Sequence, residues 1–278
     1  MVDLSGTCLG KIIAARRRAV EEAQASVALE TLQRAAAARA ERRDFAAALS
    51  RGALQVIAEL KRASPSRGVM REDFRRDDIA RSYEAAGASA LSVLTEERYF
   101  LGSLADLEAA RAAVRLPVLR KDFIIADYQI YESAAAGADA LLLIVAALSD
   151  EDLRSFLELC RDLRIAALVE VHDQIELQRA VQAGAAIIGV NNRDLKTLEV
   201  DLATSFRLRA GIPADCIAVS ESGIKTWEDL YRIAEAGYHA VLIGERFMTA
   251  ADPGLALKQM LDGLRSHPLA HGSVEKSS

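Results

Sequence analysis

The chain has 278 residues, 51% of them hydrophobic and 27% charged, with a formal net charge of −5. That is enough for one or two domains with a sizeable core. Basic and acidic residues are interspersed, so neither nucleic acid nor a membrane surface is indicated as a partner. The longest apolar run, "ADALLLIVAAL", is too short to span a bilayer. The N-terminus lacks a basic-then-apolar signal pattern, and a cytoplasmic protein is expected. Cys8, Cys160 and Cys216 are scattered without CxxC spacing, which argues against a disulfide framework or a structural zinc. Cys160 and Cys216 stand in apolar contexts and read as small buried groups.

In chain order, "GKIIAARRRAVEEA" and "LETLQRAAAARAERRDFAAALS" carry helical periodicity, so residues 1–50 read as an N-terminal helical extension. The first strand candidate is "LQVIAEL". Four similar segments follow: "YEAAGASALSVL", "ESAAAGADALLLI", "RAVQAGAAIIGV" and "RIAEAGYHAVLIG". Each places a glycine (Gly87, Gly137, Gly184, Gly237) between an Ala-rich helix end and an apolar run. The copies recur at roughly fifty residues, room for two β-α units each. The missing strands are "LQVIAEL", "LPVLRKDF", "IAALVEV" and "CIAVSES", which gives eight strand candidates in all. Helices are expected to start near Asp77, Ser103, Asp127, Ser149, Asp173, Asp201, Thr226 and Asp252. Eight such units outline an α/β protein, a (β/α)8 TIM barrel spanning residues 1–278 as a single domain. A doubly wound open sheet is the alternative, disfavoured because no GxGxxG opens a first helix. Residues 266–278 are polar and expected to fray. His267 and His271 lie four apart, but Pro268 intervenes and metal binding is not expected there.

In such a barrel the C-terminal strand ends form the site. Period two puts Ile57, Glu59 and Lys61 on one face of the first strand. The same count groups Leu119 with Lys121, Ala166 and Leu168 with Glu170, and Ile187 and Gly189 with Asn191. If these faces point inward, two Lys, two Glu and an Asn converge on one small volume. Burial and proximity are then expected to set an acid and a base near neutral pH. "AVSESGI" and "AVLIGERFM" end in small-residue turns whose backbone N–H groups suit a phosphate. His172 and His239 read as packing or capping residues. Asp122, Asp139 and Asp194 lack metal-ligand spacing, so neither metal nor cofactor is expected. From these features alone, a phosphosugar isomerase or a Schiff-base aldolase using Lys121 also fits.

The motifs "IAELKRASPSRGV", "LPVLRKDFII…YQIYESAAAGADA", "LVEVHD", "IIGVNNRDLKT", "VSESGI" and "VLIGERFM", in this order, resemble the indole-3-glycerol phosphate synthase family of tryptophan biosynthesis. The resemblance implies a carboxy-lyase acting on 1-(2-carboxyphenylamino)-1-deoxyribulose 5-phosphate. It implies Lys121 as general acid in ring closure and Glu170 in acid/base steps. Glu59 would stabilise charge on the anilino nitrogen. Lys61 would bind anionic groups or act as the acid in dehydration, and Asn191 would orient the substrate. Ser222, Gly223 and Gly244 would form the phosphate cradle. Ser66, Arg193, Glu221 and Glu245 would complete the substrate- and phosphate-binding set. Glu245 stands where many members carry Ser, so its carboxylate is expected to point away from the ligand. The long loop "RASPSRGVMREDFRR" is expected to act as a lid, and the extension before Leu54 to help close the pocket. A monomer or weak homodimer is expected.

Overall fold

A strand that is apolar along its whole length needs cover on both faces, and here the sheet gains it by closing on itself. In the computed structural model, which describes residues 6–195 and 197–267, eight parallel strands form a closed barrel. They are β1 (Gln55–Leu60), β2 (Ala90–Leu94), β3 (Val118–Lys121), β4 (Ala140–Ile144), β5 (Ala166–Val171), β6 (Ile187–Asn191), β7 (Ile217–Glu221) and β8 (Ala240–Ile243). Each pairs with its sequence neighbours, and β1 pairs with β8 to shut the ring. The architecture is the expected (β/α)8 barrel.

Three helices precede β1: α1 (Cys8–Ser26), α2 (Leu29–Ala38) and α3 (Phe45–Leu49). The outer layer holds α4 (Arg76–Ala86), α5 (Leu104–Ala113), α6 (Asp127–Ala135), α7 (Asp150–Asp162), α8 (Gln174–Gln182), α9 (Ala203–Leu208), α10 (Trp227–Glu235), α11 (Glu245–Met248) and α12 (Pro253–Ser266). Ser103, Ser149, Asp173, Thr226 and Asp252 each accept a backbone N–H of the first turn, as their position in the sequence suggests. Three expected caps shift. Arg75 stands at the cap of α4, and Asp77 lies in its first turn, where the helix dipole favours a carboxylate. Ala126 occupies the cap of α6, and Gln129 Oε1 reaches back to the N–H groups of Ile125 and Ala126. Asp201 precedes α9 and accepts from the N–H of Ala203. The four repeat glycines take positive φ, between 81° and 100°.

Period two sorts the strand side chains as expected. Ile57, Leu119, Leu168, Ile187, Val219 and Leu242 fill the barrel interior, while Val56, Ala58, Val169, Ile188 and Val241 join the layer beneath the helices. The extension covers both ends of the interior. Phe45 and Leu49 of α3, which runs into the start of β1, join the interior cluster. Cys8, Leu9 and Ile12 of α1 line a small cavity with Lys61, Phe100 and Phe123 at the opposite mouth. Buried ion pairs fix this wrap: Arg16 to Asp122 at 2.6 Å, and Arg39 and Arg111 to Asp139, which also accepts the N–H of Arg43. The candidate lid has structure of its own. Ala63–Ser64 pairs antiparallel with Gly68–Val69, and Arg71 donates to the carbonyls of Ala250 and Ala251. His267 stacks on Trp227 with centroids 4.1 Å apart, and the expected frayed tail from residue 268 lies outside the described residues.

Candidate active site

The inward rows of β1, β3, β5, β6 and β7 are apolar until they reach the mouth. There the barrel opens into a cavity of about 600 Å³ lined by Glu59, Lys61, Ser66, Lys121, Glu170, Asn191, Arg193, Ser222, Gly223, Gly244 and Glu245. Of the residues singled out from the sequence, only Glu221 is missing from this wall, and it lies directly behind it. Lys121 Nζ is 2.8 Å from Glu221 Oε2 and 3.3 Å from Glu170 Oε2. Lys61 Nζ is 2.5 Å from Glu59 Oε1. The three carboxylates are almost wholly buried and both lysines nearly so.

Three carboxylates facing two ammonium groups leave one negative charge in excess, and the proton affinities reflect it. Burial opposes the charge on Lys121, but Glu221, Glu170 and Glu59 outweigh it and hold the ammonium well above its usual range. Lys121 is therefore not the acid expected near neutral pH, since the glutamates win over lysine–lysine repulsion. A Schiff-base amine would need the reverse shift, which speaks against the aldolase alternative. Burial raises Glu170, yet Lys121, His172 and Asn191 more than offset it and the net shift is downward. Glu221 shifts upward, because burial and the charges of Glu170 and Glu59 exceed the pull of Lys121. Glu221 is thus the carboxylate of this cluster that takes a proton most readily.

Two glycines make room for this packing. A Cβ on Gly189 would sit 2.2 Å from Glu221 Oε1, and one on Gly244 would sit 2.1 Å from Glu59 Oε1. At Gly189 the obstacle is a side-chain end, which can move at modest cost in stability but not without disturbing the pair with Lys121. At Gly244 the Cβ of Glu59 also lies 2.9 Å away, so the strand itself would have to shift. We expect Gly189→Ala to keep its fold by circular dichroism and lose about 10²-fold in kcat, the scale for a small misplacement of a reacting group. Unchanged kcat in a folded variant would show that the position of Glu221 is immaterial. The resemblance makes Gly244 part of the phosphate cradle, where substitution mainly weakens substrate binding; its closeness to Glu59 adds a kcat loss to any substitution there.

Ser222 and Gly223, on the cavity wall, both take positive φ, 64° and 81°, in a turn whose backbone N–H groups lie outside the barrel ladder. Asn192 secures it by donating to the carbonyls of Glu221 and Ser222. Gly244 and Glu245 stand beside this turn at the start of α11. The carboxylate of Glu245 turns sideways, with Oε1 2.7 Å from Arg67 and Oε2 3.3 Å from Arg193. It thus remains on the cavity wall, neutralised by two guanidiniums, instead of pointing away. The backbone N–H of Arg193 donates to Asn191 Oδ1 at 3.0 Å, which orients the amide. Ser66 sits at the rim, its Oγ 3.4 Å from Ser64 Oγ.

Sequence reasoning missed two contributors and gave a third another role. Glu221 was placed with the phosphate set, yet it pairs with Lys121; continuing the inward count of β7 through Ile217 and Val219 would have reached it. Asn192 shows no sequence signal, since its value lies in bonds to a strand 28 residues or more away. His172, read as packing or capping, touches Glu170 with Nε2 3.2 Å from Oε1. His239 behaves as expected, its Nδ1 accepting the N–H of Ala218 at the strand starts.

Comparison with known proteins agrees with this geometry. The family model for indole-3-glycerol phosphate synthase matches residues 9–260. A protein of that name from Albidiferax ferrireducens is 50% identical over 256 residues, covering 91% of this chain and 97% of its own. One from Chloroherpeton thalassium is 54% identical over 248 residues, covering 88% and 95%. Among solved structures, thiamine phosphate pyrophosphorylase from Pyrococcus furiosus superposes with a TM-score of 0.58 at 14% identity, covering 77% of this chain and 96% of that one. That likeness is one of fold alone. Sequence identity along nearly the whole chain, and a barrel mouth bearing the charged residues that the motifs contain, lead to one assignment: this chain belongs to the indole-3-glycerol phosphate synthase family.

Proposed function

We propose a division of labour for the reaction that this chain catalyses, the conversion of 1-(2-carboxyphenylamino)-1-deoxyribulose 5-phosphate into indole-3-glycerol phosphate, CO2 and water. The observation that carries it is the ammonium of Lys121 held between Glu170 and Glu221 across the cavity from the Ser222–Gly223 turn. The turn, with Gly244, holds the substrate phosphate through backbone N–H groups. Lys121 then reaches the ribulose carbonyl and gives it a proton as the ring carbon attacks. Glu59 sits where positive charge grows on the anilino nitrogen, in a nearly dry pocket where a fixed opposite charge is worth most. Lys61 and Arg193 meet the anionic groups of the substrate, with Ser66 and Asn191 orienting it. Carbon dioxide leaves and its bonding electrons restore the aromatic ring. The hydroxyl then departs as water on a proton from a lysine ammonium, as Glu170 accepts the proton lost from the neighbouring carbon beside the nitrogen. Glu221 passes a proton to or from Lys121 between these steps. Glu245 supports this set by holding Arg193 and Arg67 in place.

Glu59 and Lys61 end one strand because the reaction separates charge, and the site must meet both signs at once. Steric and electrostatic support extends to the rest of the chain, which works as one domain with the extension closing the barrel. Among the described residues no helix is long and apolar enough to cross a membrane. Exposed large apolar side chains such as Val69, Ile175 and Leu255 are scattered along the chain, which favours a monomer or weak homodimer. The test is direct. Purified protein mixed with the substrate, with a chelator present, is expected to produce indole absorbance and fluorescence. A well-folded protein that yields no indole signal would refute the assignment.

A further inference from the structure

We propose that His172 is a positioning residue for this reaction: its ring, held between Glu170 and Glu176, fixes the Glu170 carboxylate in the orientation and charge state that catalysis uses. The inference rests on the reading of Glu170 as an acid/base group. His172 continues the inward count of β5, two residues past Glu170, and its side chain is 12% exposed. Nε2 lies 3.2 Å from Glu170 Oε1, a contact at ion-pairing distance though off the line of a hydrogen bond. Nδ1 lies 2.9 Å from Glu176 Oε2, and the same oxygen accepts the backbone N–H of His172 at 2.8 Å. Glu176 comes from α8, so a helix outside the barrel backs a ring that faces into it.

Two carboxylates on one imidazole decide its charge. A neutral ring has one N–H and one lone pair, and the lone pair would face an anion. Only the doubly protonated ring presents a donor to both partners. Burial pulls the proton affinity of His172 down, but Glu170 and Glu176 outweigh it and lift the ring to about 10. The other groups acting on Glu170 are Lys121 from β3, Asn191 from β6 and Glu221 from β7, with the Glu59–Lys61 pair on the same cavity wall. Lys121 takes Oε2, which leaves Oε1 for His172. Both oxygens of Glu170 are therefore held, and its carboxylate cannot rotate without losing a cation. With Glu176 the ring forms a neutral pair, so it sets a cation against Glu170 without changing the net charge of the cluster.

The test compares pH profiles of kcat and kcat/KM for wild type, His172→Gln, Glu170→Gln and the double variant. In His172→Gln we expect kcat to fall about tenfold or more with KM changed less than about threefold. Loss of the cation makes Glu170 easier to protonate, so the acidic limb of the kcat profile is expected to move up by about one pH unit. Adding His172→Gln to Glu170→Gln should change little, since the ring acts through that carboxylate. Stability gives an independent readout. The raised proton affinity contributes stability that is complete below 6.5 and is lost as pH rises through about 10. Melting temperature should therefore fall more steeply over that window in wild type than in His172→Gln. If His172→Gln folds poorly, Glu176→Gln keeps the ring and should move the acidic limb the same way by less. A folded His172→Gln with wild-type kcat and an unmoved limb, beside an inactive Glu170→Gln, would overturn the proposal alone. An active Glu170→Gln would overturn the acid/base reading and this inference with it.

Discussion

Lys121→Ala is expected to lower kcat by about 10²–10⁴-fold, the range for removing a general acid, while KM changes far less. The phosphate turn and the rim cations lie on other strands, so the substrate keeps its main anchors. What disappears is the only ammonium in contact with both Glu170 and Glu221 among the described residues. Without it both carboxylates take up protons more readily, which compounds the loss, because a protonated Glu170 cannot accept one. Lys121→Met, which keeps the aliphatic stem, should be as inactive and better folded; equal melting curves with unequal rates would separate packing from chemistry. Glu170→Gln should show the same pattern of lost turnover with preserved affinity. The measurement is steady-state kinetics with circular dichroism on each variant. A variant whose turnover survives while only KM rises would make Lys121 a binding residue and remove it from proton transfer.

The fold was legible because its information is local and periodic. Buried parallel strands write themselves as short apolar runs, and helix ends as glycines after Ala-rich segments. The inward parity of β1, β3, β5 and β6 carried over to the structure without a slip, since a one-residue shift would have put Glu59, Lys121 and Glu170 beneath the helices. The cap positions near Asp77, Asp127 and Asp201 were less legible for an electrostatic reason. A carboxylate favours the cap and the first turn alike, so an Asp marks a helix start only to within a residue or two. The proton affinities were not legible at all. Whether a lysine is raised or lowered depends on distances between strand ends, and here the glutamates stand closer to Lys121 than any competing cation brought in by the sequence reading. Nor does any periodicity announce the Arg16–Asp122 contact, whose partners are separated by 106 residues.

That contact underlies the second large effect, which is expected in stability. Asp122 follows Lys121 and is 1% exposed. Its carboxylate accepts from Arg16 at 2.6 Å, from Arg120 at 3.0 Å, from Thr95 Oγ1 at 2.5 Å and from the N–H of Phe123 at 2.8 Å. Arg120 is itself fully buried and is shared with Glu132 and Ser133 of α6. Asp122→Ala strands the buried Arg16 guanidinium, removes one of the two carboxylates on Arg120, and should cost about 3–5 kcal/mol, the scale for removing one member of a buried ionic cluster. Asp122→Asn keeps an acceptor but not the charge and should cost about 1–3 kcal/mol. Because Arg16 is the partner that α1 contributes, Asp122→Ala should also free α1 from the mouth, seen as faster hydrogen exchange in Leu9–Val20 than in β5 and β6. Denaturant melts with exchange mass spectrometry provide the check. A loss under about 1 kcal/mol, with α1 still protected, would mean that apolar packing of Leu9, Ile12 and Ile13 holds the helix by itself. The prediction favours the ion pair because α1 buries only Leu9, Ile12, Ile13 and Val20 as apolar side chains over its 19 residues, and its buried cation, Arg16, would lose the carboxylate it contacts.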